Sequence, residues 1–578
     1  MPIMKKILFL FLLMCNNLYS ARTREVTLHW VHTSDVHGSI FGYDYMKARS
    51  TKGGLSSVYA YVSELREKNP GRVVLTDGGD CLQGQPLAYY YNFINTGSPH
   101  LITEAMNEMG YDCGAMGNHD IETGHDVYDR WVKELNFPVL GANVIDERTG
   151  KPYLKPYTVI KRGGIRIAIL GLMTPAIPSW LPPVLWDGLR FQDMVECARE
   201  WVPRIMKKEH PQLLVGVFHS GVSGGIVTDE YVENASRSVV EQVAGFDLVM
   251  YGHDHMYALN SFKDPEGHEV PVIGPTSMAA RVAEAEIKLT LKGKKVVEKK
   301  IVGSTPLMTG SDQPAARRFE DKLKPLRQAM ETWMDETIGS IDTTILERDA
   351  YFGPSMFIDL IHQMQLDLSG DQISFAAPLS FDSRLEKGPL TIRDMFRLYK
   401  YENFLYTMKL TGREIKGFLE MDYAQWTAQM KSPEDHIMLL DNNMDNGRRM
   451  GLKNFSFNFD SAAGIRYTVD VTKPEGEKIN ILSMADGTPF EMDKWYTVAI
   501  NSYRGNGGGE LLTKGAGIPH DKLSERLLKS TDKDLRYYLI QRVREAGTLH
   551  PRSMDLWRFV PEEWTRTALE RDRKLLFP

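Results

Sequence analysis

Residues 246–255 read FDLVMYGHDH, an apolar run that stops at Gly252 and sets His253 and His255 on either side of Asp254. A short apolar run closed by glycine reads as a buried strand. Polar side chains placed straight after a strand lie at the carboxyl edge of a sheet, where an open α/β fold gathers residues far apart in the chain. An HxH pair alone is a weak metal signal, more often a loop or a satisfied core histidine. Here the same device recurs along the first half: Asp35 and His37 in SDVHG, Asp80 in DGGD, Asn118 and His119 in MGNHD, and His219 in VFHSG. The repetition predicts one polar site at one sheet edge.

The rest of the first half supports an α/β reading. Short apolar runs such as VTLHWVHTSD (26–35), RVVLTDGGD (72–80), RIAILGLM (166–173) and QLLVGVFHS (212–220) alternate with amphipathic stretches, as strands alternate with helices in a layered core. From Asp312 to Ile338 the apolar period becomes helical, through Phe319, Leu323, Leu326, Met330, Trp333 and Ile338, which predicts a connecting helix packed on a neighbouring domain. A second α/β segment follows Gly339. The charged and aromatic stretch after Pro551 has no role that the sequence reveals.

At 578 residues the chain is long enough for two large domains. Its net charge of -6 gives no basic field for a nucleic-acid polymer, so an anionic ligand must be held by local charges. The N-terminus, MPIMKKILFLFLLMCNNLYSAR, has two lysines before a short apolar run, the pattern of an export signal ending near Ser20 or Ala21. Periplasmic or secreted localisation is expected, with no transmembrane span in the processed chain. A lipid anchor on Cys15 is the lesser option, because the preceding residues lack a small side chain. The remaining Cys81, Cys113 and Cys197 form no disulfide framework and read as buried thiols.

Seven of the strand-end residues, Asp35, His37, Asp80, Asn118, His219, His253 and His255, are too many for one ion. Aspartate, histidine and asparagine together suit borderline or hard divalent cations, zinc or manganese. With one carboxylate shared, they divide into two sets around two cations. Such a pair activates water at neutral pH and clamps the oxygens of a phosphoryl group. Residues two apart on one turn, as in GHDH, can each reach a different ion.

The blocks DVH, GGD, GNHD, HSG and GHDH resemble those of the calcineurin-like metallophosphoesterases. The second half is similar to the C-terminal domain of bacterial 5′-nucleotidases and 2′,3′-cyclic-nucleotide phosphodiesterases. The resemblance implies a four-layer α/β/β/α sandwich over 25–305, a linking helix over 306–340, an α/β substrate-binding domain over 341–550 and a tail over 551–578, after a leader over 1–21. It further implies that Asp35, His37 and His255 hold one metal, that Asn118, His219 and His253 hold the other, and that Asp80 bridges both. His119 would contact the scissile phosphate or protonate the leaving oxygen, with Asn118 also near the substrate. The family pattern has an aspartate three residues after that histidine; here the position is Glu122, and Asp120 competes as its partner.

For the substrate, the resemblance points to Tyr503 and Phe459 as the rings that sandwich a nucleobase, with Phe457 the rival of Phe459, and to Arg384 and Asn403 as polar contacts. A ribose-binding aspartate of the 5′-nucleotidases is replaced by Gly509. With the run YRGNGGG, this favours 2′,3′-cyclic-nucleotide 2′-phosphodiesterase with 3′-nucleotidase activity over 5′-nucleotidase or nucleotide-sugar hydrolase. A non-catalytic nucleotide-binding protein is the alternative of another class. A monomer is expected, with a nucleotide as its ligand.

Overall fold

The computed structural model describes residues 23–444 and 450–578. The expected leader and Cys15 lie outside the described residues. The first half is built on two six-stranded sheets. In one, the spatial order is Lys295–Ser304, Ala283–Lys292, Thr23–Thr33, Val73–Asp77, Cys113–Ala115 and Val139–Leu140. In the other it is Ala258–Lys263, Glu269–Gly274, Leu248–Tyr251, Leu213–His219, Ile165–Met173 and Tyr157–Arg162.

Alternation along the strands decides how the sheets stack. Leu28 and Trp30 on the first sheet, with Val74, share one apolar core with Ile167, Ile169, Val215 and Val217 of the second. Trp30 is fully buried, and its indole N–H donates to Thr76 Oγ1 at 2.9 Å, so the ring is held without an unpaired donor. Helices Leu55–Lys68 and Leu101–Met109 cover the outer face of the first sheet through Val58, Val62, Leu101 and Met106. Met194–Glu209 and Ser236–Gln242 cover the second through Val195, Ile205 and Val239. The result is a helix, sheet, sheet, helix sandwich. Strand Thr23–Thr33 runs parallel to Val73–Asp77, and Leu213–His219 runs parallel to both its neighbours. Their carboxyl ends therefore open on a common edge.

Helix Pro314–Met334 starts on a proline, where the missing N–H costs nothing, and buries Ala316, Phe319, Leu323, Met330 and Met334. Phe319 stacks on Tyr59 at 4.7 Å, so this helix belongs to the packing of the first half. Ile338, expected on the same stripe, lies instead on strand Thr337–Ile341, because the chain leaves the helix at Asp335 and pairs with Gly388–Thr391. Trp333 contacts Tyr89 and Phe396, which joins the two halves, and the Tyr89 hydroxyl donates to Asp534 Oδ2 at 2.9 Å.

The second half centres on a five-stranded sheet in the order Ser461–Ala463, Ile373–Ala376, Trp495–Asn501, Phe404–Thr411 and Leu527–Asp534. Helix Gly412–Trp426 opens with a capping box between Thr411 and Glu414 and stacks Phe418 on Phe375 at 4.2 Å. The stretch after Pro551 is not a loose extension. Strand Trp557–Val560 pairs in parallel with Ile465–Asp470, and helix Glu562–Leu576 buries Ala568 and Leu576 in the same core. Among the described residues no helix is long and apolar enough to cross a membrane. Cys81, Cys113 and Cys197 are all buried and unbridged.

Asp572 fastens that last helix: its Oδ2 accepts the backbone N–H groups of Ile437 at 2.8 Å and Met438 at 2.9 Å. Asp572→Ala leaves both donors buried without a partner, which costs at least about 2 kcal/mol. A lower urea midpoint for the variant, with the helix exchanging its amide hydrogens faster, is the expected result.

Candidate active site

The strand-end residues meet at the shared edge, and most of them do so in a costly conformation. Asp35 (φ 53°), His37 (φ 49°), Asp80 (φ 60°), His253 (φ 90°) and His255 (φ 59°) all occupy the left-handed region. Each such residue costs on the order of 1–3 kcal/mol and persists only where its surroundings hold it. Packing is close enough to hold them. A Cβ on Gly252 would lie 1.7 Å from Ser34 Oγ, and one on Gly117 would lie 2.1 Å from Asp80 Oδ1, so both positions require glycine.

Asp120 supplies the restraint on Asp80. Its carboxylate is fully buried and accepts the backbone N–H groups of Asp80 (2.9 Å), Cys81 (2.8 Å), Leu82 (2.9 Å) and Gly117 (2.9 Å). Burial and the neighbouring Asp80 push its pKa up to about 6. Asp120 is therefore not the partner of His119, as the sequence left open, because its acceptor capacity is spent on the backbone. Glu122 takes that place, with Oε2 at 2.5 Å from His119 Nδ1. Burial works against charge on His119, but Asp80 and Glu122 outweigh it and raise the imidazole to about 10.

The candidate ligand atoms form two groups that share Asp80. Asp35, His37, Asp80 and His255 make one, and Asp80, His219 and His253 the other, each with its donor atoms within 4.8 Å of one another. Asn118 completes the second, its Oδ1 lying 2.9 Å from both His219 Nε2 and His253 Nδ1. The far ring nitrogens face acceptors: His37 Nδ1 meets the Gln83 carbonyl at 3.1 Å, His219 Nδ1 the Gly78 carbonyl at 2.7 Å, and His253 Nε2 Glu233 Oε1 at 3.0 Å. A proton on each far nitrogen leaves a lone pair pointing inward. Inward these lone pairs meet other acceptors, with His37 Nε2 only 3.0 Å from His255 Nε2. Acceptors facing acceptors call for a cation between them, and this donor set fits a divalent metal. Burial raises the cost of charge on Asp35 and Asp80, yet the surrounding histidines pull both below the ordinary carboxylate range. Burial and the neighbouring His255 hold His37 down to about 3, whereas against its burial His219 is lifted by Asp80 to about 9.

Beside this edge lies a pocket of about 210 Å³ walled by both halves of the chain. The first half contributes Asn118, His119, Glu122 and His253 with the apolar Trp180 and Leu185, and the second Glu402, Asn403 and Tyr503. Tyr503 and Asn403, expected near the substrate, both line this pocket. Phe459 does not: it follows the 3-10 turn Ser456–Asn458, is fully buried and stacks on Trp426 at 5.5 Å. Its rival Phe457 is half-buried and stacks on Phe455 at 5.1 Å. Arg384 is also outside the pocket, exposed on the surface and paired with Glu386 at 2.8 Å.

Comparison with known proteins agrees with this layout. The calcineurin-like phosphoesterase family matches residues 28–257, and the 5′-nucleotidase C-terminal domain family matches residues 337–514. The chain belongs to the metallophosphoesterases that carry a 5′-nucleotidase C-terminal domain. It is 26% identical to a 2′,3′-cyclic-nucleotide 2′-phosphodiesterase/3′-nucleotidase of Yersinia enterocolitica, over 94% of this chain and 89% of that protein. It is also 26% identical to the trifunctional nucleotide phosphoesterase protein YfkN of Bacillus subtilis, where 94% of this chain spans only 40% of the relative. A solved structure of a candidate 5′-nucleotidase from Staphylococcus aureus shares the fold, with a TM-score of 0.75 at 21% identity, covering 92% of this chain and all of that one.

This metallophosphoesterase is a hydrolase acting on phosphoester bonds, and divalent metals are implied by its family. Several residues around its site carry no signal in the sequence. Glu233 orients His253, the Trp180 ring packs 5.6 Å from His253, and the Trp180 carbonyl accepts Asn506 Nδ2 of the second half at 2.8 Å. Arg504, 1% exposed, donates to Asp460 Oδ2 at 2.8 Å and to the carbonyls of Phe457 at 2.6 Å and Gly508 at 3.1 Å. It ties the loop of Phe457 to the loop of Tyr503. Gly509 (φ 71°) lies against it, where a Cβ would sit 2.5 Å from the guanidinium.

Replacing Asp120 by alanine strands four buried N–H groups and frees the strained Asp80 turn. We expect a loss of at least about 3 kcal/mol of stability. A variant that melts with the parent protein would show that the turn is held by something else.

Proposed function

We propose that this metallophosphoesterase is an exported 2′,3′-cyclic-nucleotide 2′-phosphodiesterase with 3′-nucleotidase activity, using two zinc or manganese ions. The observation that carries the reading is a phosphoester site and a tyrosine-bearing pocket on one edge, shared by two halves of the chain, in a protein whose Yersinia relative bears that name along nearly its whole length. Periplasmic or secreted localisation is part of the same proposal, on the ground of the N-terminal pattern.

Asp35, His37 and His255 would hold one ion and Asn118, His219 and His253 the other, with Asp80 shared between the two groups. When bound, the two ions activate water and neutralise charge on the phosphoryl oxygens. His119, kept protonated by Asp80 and Glu122, gives its Nε2 proton to the departing sugar oxygen. The Glu122 carboxylate at Nδ1 fixes the ring orientation and compensates its charge. The Tyr503 ring stacks on the base, worth about 1–3 kcal/mol, and Asn403 offers a polar contact beside it.

The test is phosphate release by metal-stripped protein resupplied with manganese or zinc, from 2′,3′-cyclic AMP, 3′-AMP and 5′-AMP in parallel. Preference for the first two is expected. Preference for 5′-AMP would contradict the reading and make the protein a 5′-nucleotidase, and absence of release from all three would leave a nucleotide-binding protein. His119→Ala is expected to lower kcat by about 10²–10⁴-fold, with Glu122→Gln intermediate between that variant and the parent.

A further inference from the structure

One polar group in the pocket is left unused by the metal chemistry. Glu402 shares the pocket wall with Asn403, His119 and Glu122 and is 8% exposed. Its Oε1 lies 3.4 Å from Arg536 Nη1, and its Oε2 has no hydrogen-bond partner among the described residues. Arg536 stays behind it: the guanidinium is fully buried, donates to the carbonyls of Tyr399 and Lys400, and rests 4.0 Å from the centre of the Phe396 ring. Neither lysine nor arginine is among the residues that wall the pocket, whereas two carboxyl groups are, Glu122 and Glu402. Burial pushes the Glu402 carboxyl up, Arg536 pulls it down and Glu122 pushes it up again, leaving it at about 8.

A buried carboxyl oxygen without a partner is costly to keep and serves a ligand that brings a donor. A phosphate or carboxylate set directly against Glu402 would meet a buried carboxyl group, whereas a neutral hydroxyl can donate to Glu402 in either protonation state. The pocket that takes in His119 and Tyr503 is also walled by Glu402 and Asn403. A nucleotide with its phosphate at His119 and its base on Tyr503 lays its sugar against that stretch of wall. The glycine run 507–509 in the adjoining loop provides no side-chain acceptor.

We propose that Glu402 is a specificity-determining residue that accepts a hydrogen bond from a ribose hydroxyl of the substrate. The inference rests on the nucleotide reading given above. It is tested by coupling a deletion in the enzyme to a deletion in the substrate. The metal-loaded full chain and Glu402→Ala are each assayed on 3′-AMP, its 2′-deoxy and 5′-deoxy forms, and on 5′-AMP with its 2′-deoxy and 3′-deoxy forms.

In the parent protein, removal of one hydroxyl should lower kcat/KM at least tenfold, and in Glu402→Ala the same removal should lower it less than twofold. If every hydroxyl deletion costs the same in both proteins, the proposal is overturned. Whether the parent prefers the 3′ or the 5′ series judges the cyclic phosphodiesterase reading separately, since the coupling is read within whichever series is hydrolysed. Should Glu402→Ala fail to fold, Glu402→Asp keeps a carboxyl group on the Arg536 side and withdraws it by one methylene. The coupling must then fall at least threefold, with unchanged coupling counting against the proposal.

Discussion

The Asp120 carboxylate, buried and bonded to four backbone N–H groups, is the restraint on which the site depends. It joins the loop after Val73–Asp77 to the turn at Gly117, and so holds Asp80 in a conformation that aspartate otherwise avoids. Asp80 in turn is common to both groups of ligand atoms, so a displacement of its loop disturbs both at once. Strain in the other loops is held in the same way, by glycines that let neighbouring backbone come into contact. The sandwich beneath contributes rigidity, because its strands end in a fully packed core.

The second half completes the site from outside. Its loops bring Tyr503, Asn403 and Glu402 to the edge where His119 and Glu122 stand, and Asn506 bonds the Trp180 carbonyl beside His253. Arg504 gives those loops a common anchor, which explains why an arginine is buried so close to an exposed ligand pocket. The candidate metal ligands thus come from the first half and the pocket wall from both, while the aromatic contacts of Trp333 join the halves.

How much of this was legible in the sequence depended on the kind of signal. Strand ends followed by Asp, His or Asn are local patterns, and all seven ligand candidates read from them meet at one edge. The layered fold follows equally from alternation. What failed, failed through tertiary context. Phe459 and Phe457 sit two apart on one run, and only packing against Trp426 shows which ring is spent on the core. Asp120 and Glu122 are both acids beside His119, and only the backbone N–H groups that converge on Asp120 separate a scaffold from a partner. Arg384 lies near the expected motif but faces Glu386 on the surface. Ile338 kept the helical period by chance across the boundary into a strand. Glu233, Trp180, Arg504 and Glu402 belong to no local pattern, since their roles arise from neighbours distant in the chain.

The central claim, that two cations share Asp80, is tested most directly by counting metal. Protein equilibrated with manganese or zinc and freed of excess ion is assayed by plasma mass spectrometry, with His255→Ala and Asp80→Asn alongside. The account predicts about two ions per parent chain, about one in His255→Ala, and less than one in Asp80→Asn, because the last change weakens both sites together. A single ion in the parent chain, or two ions retained by Asp80→Asn, would contradict it.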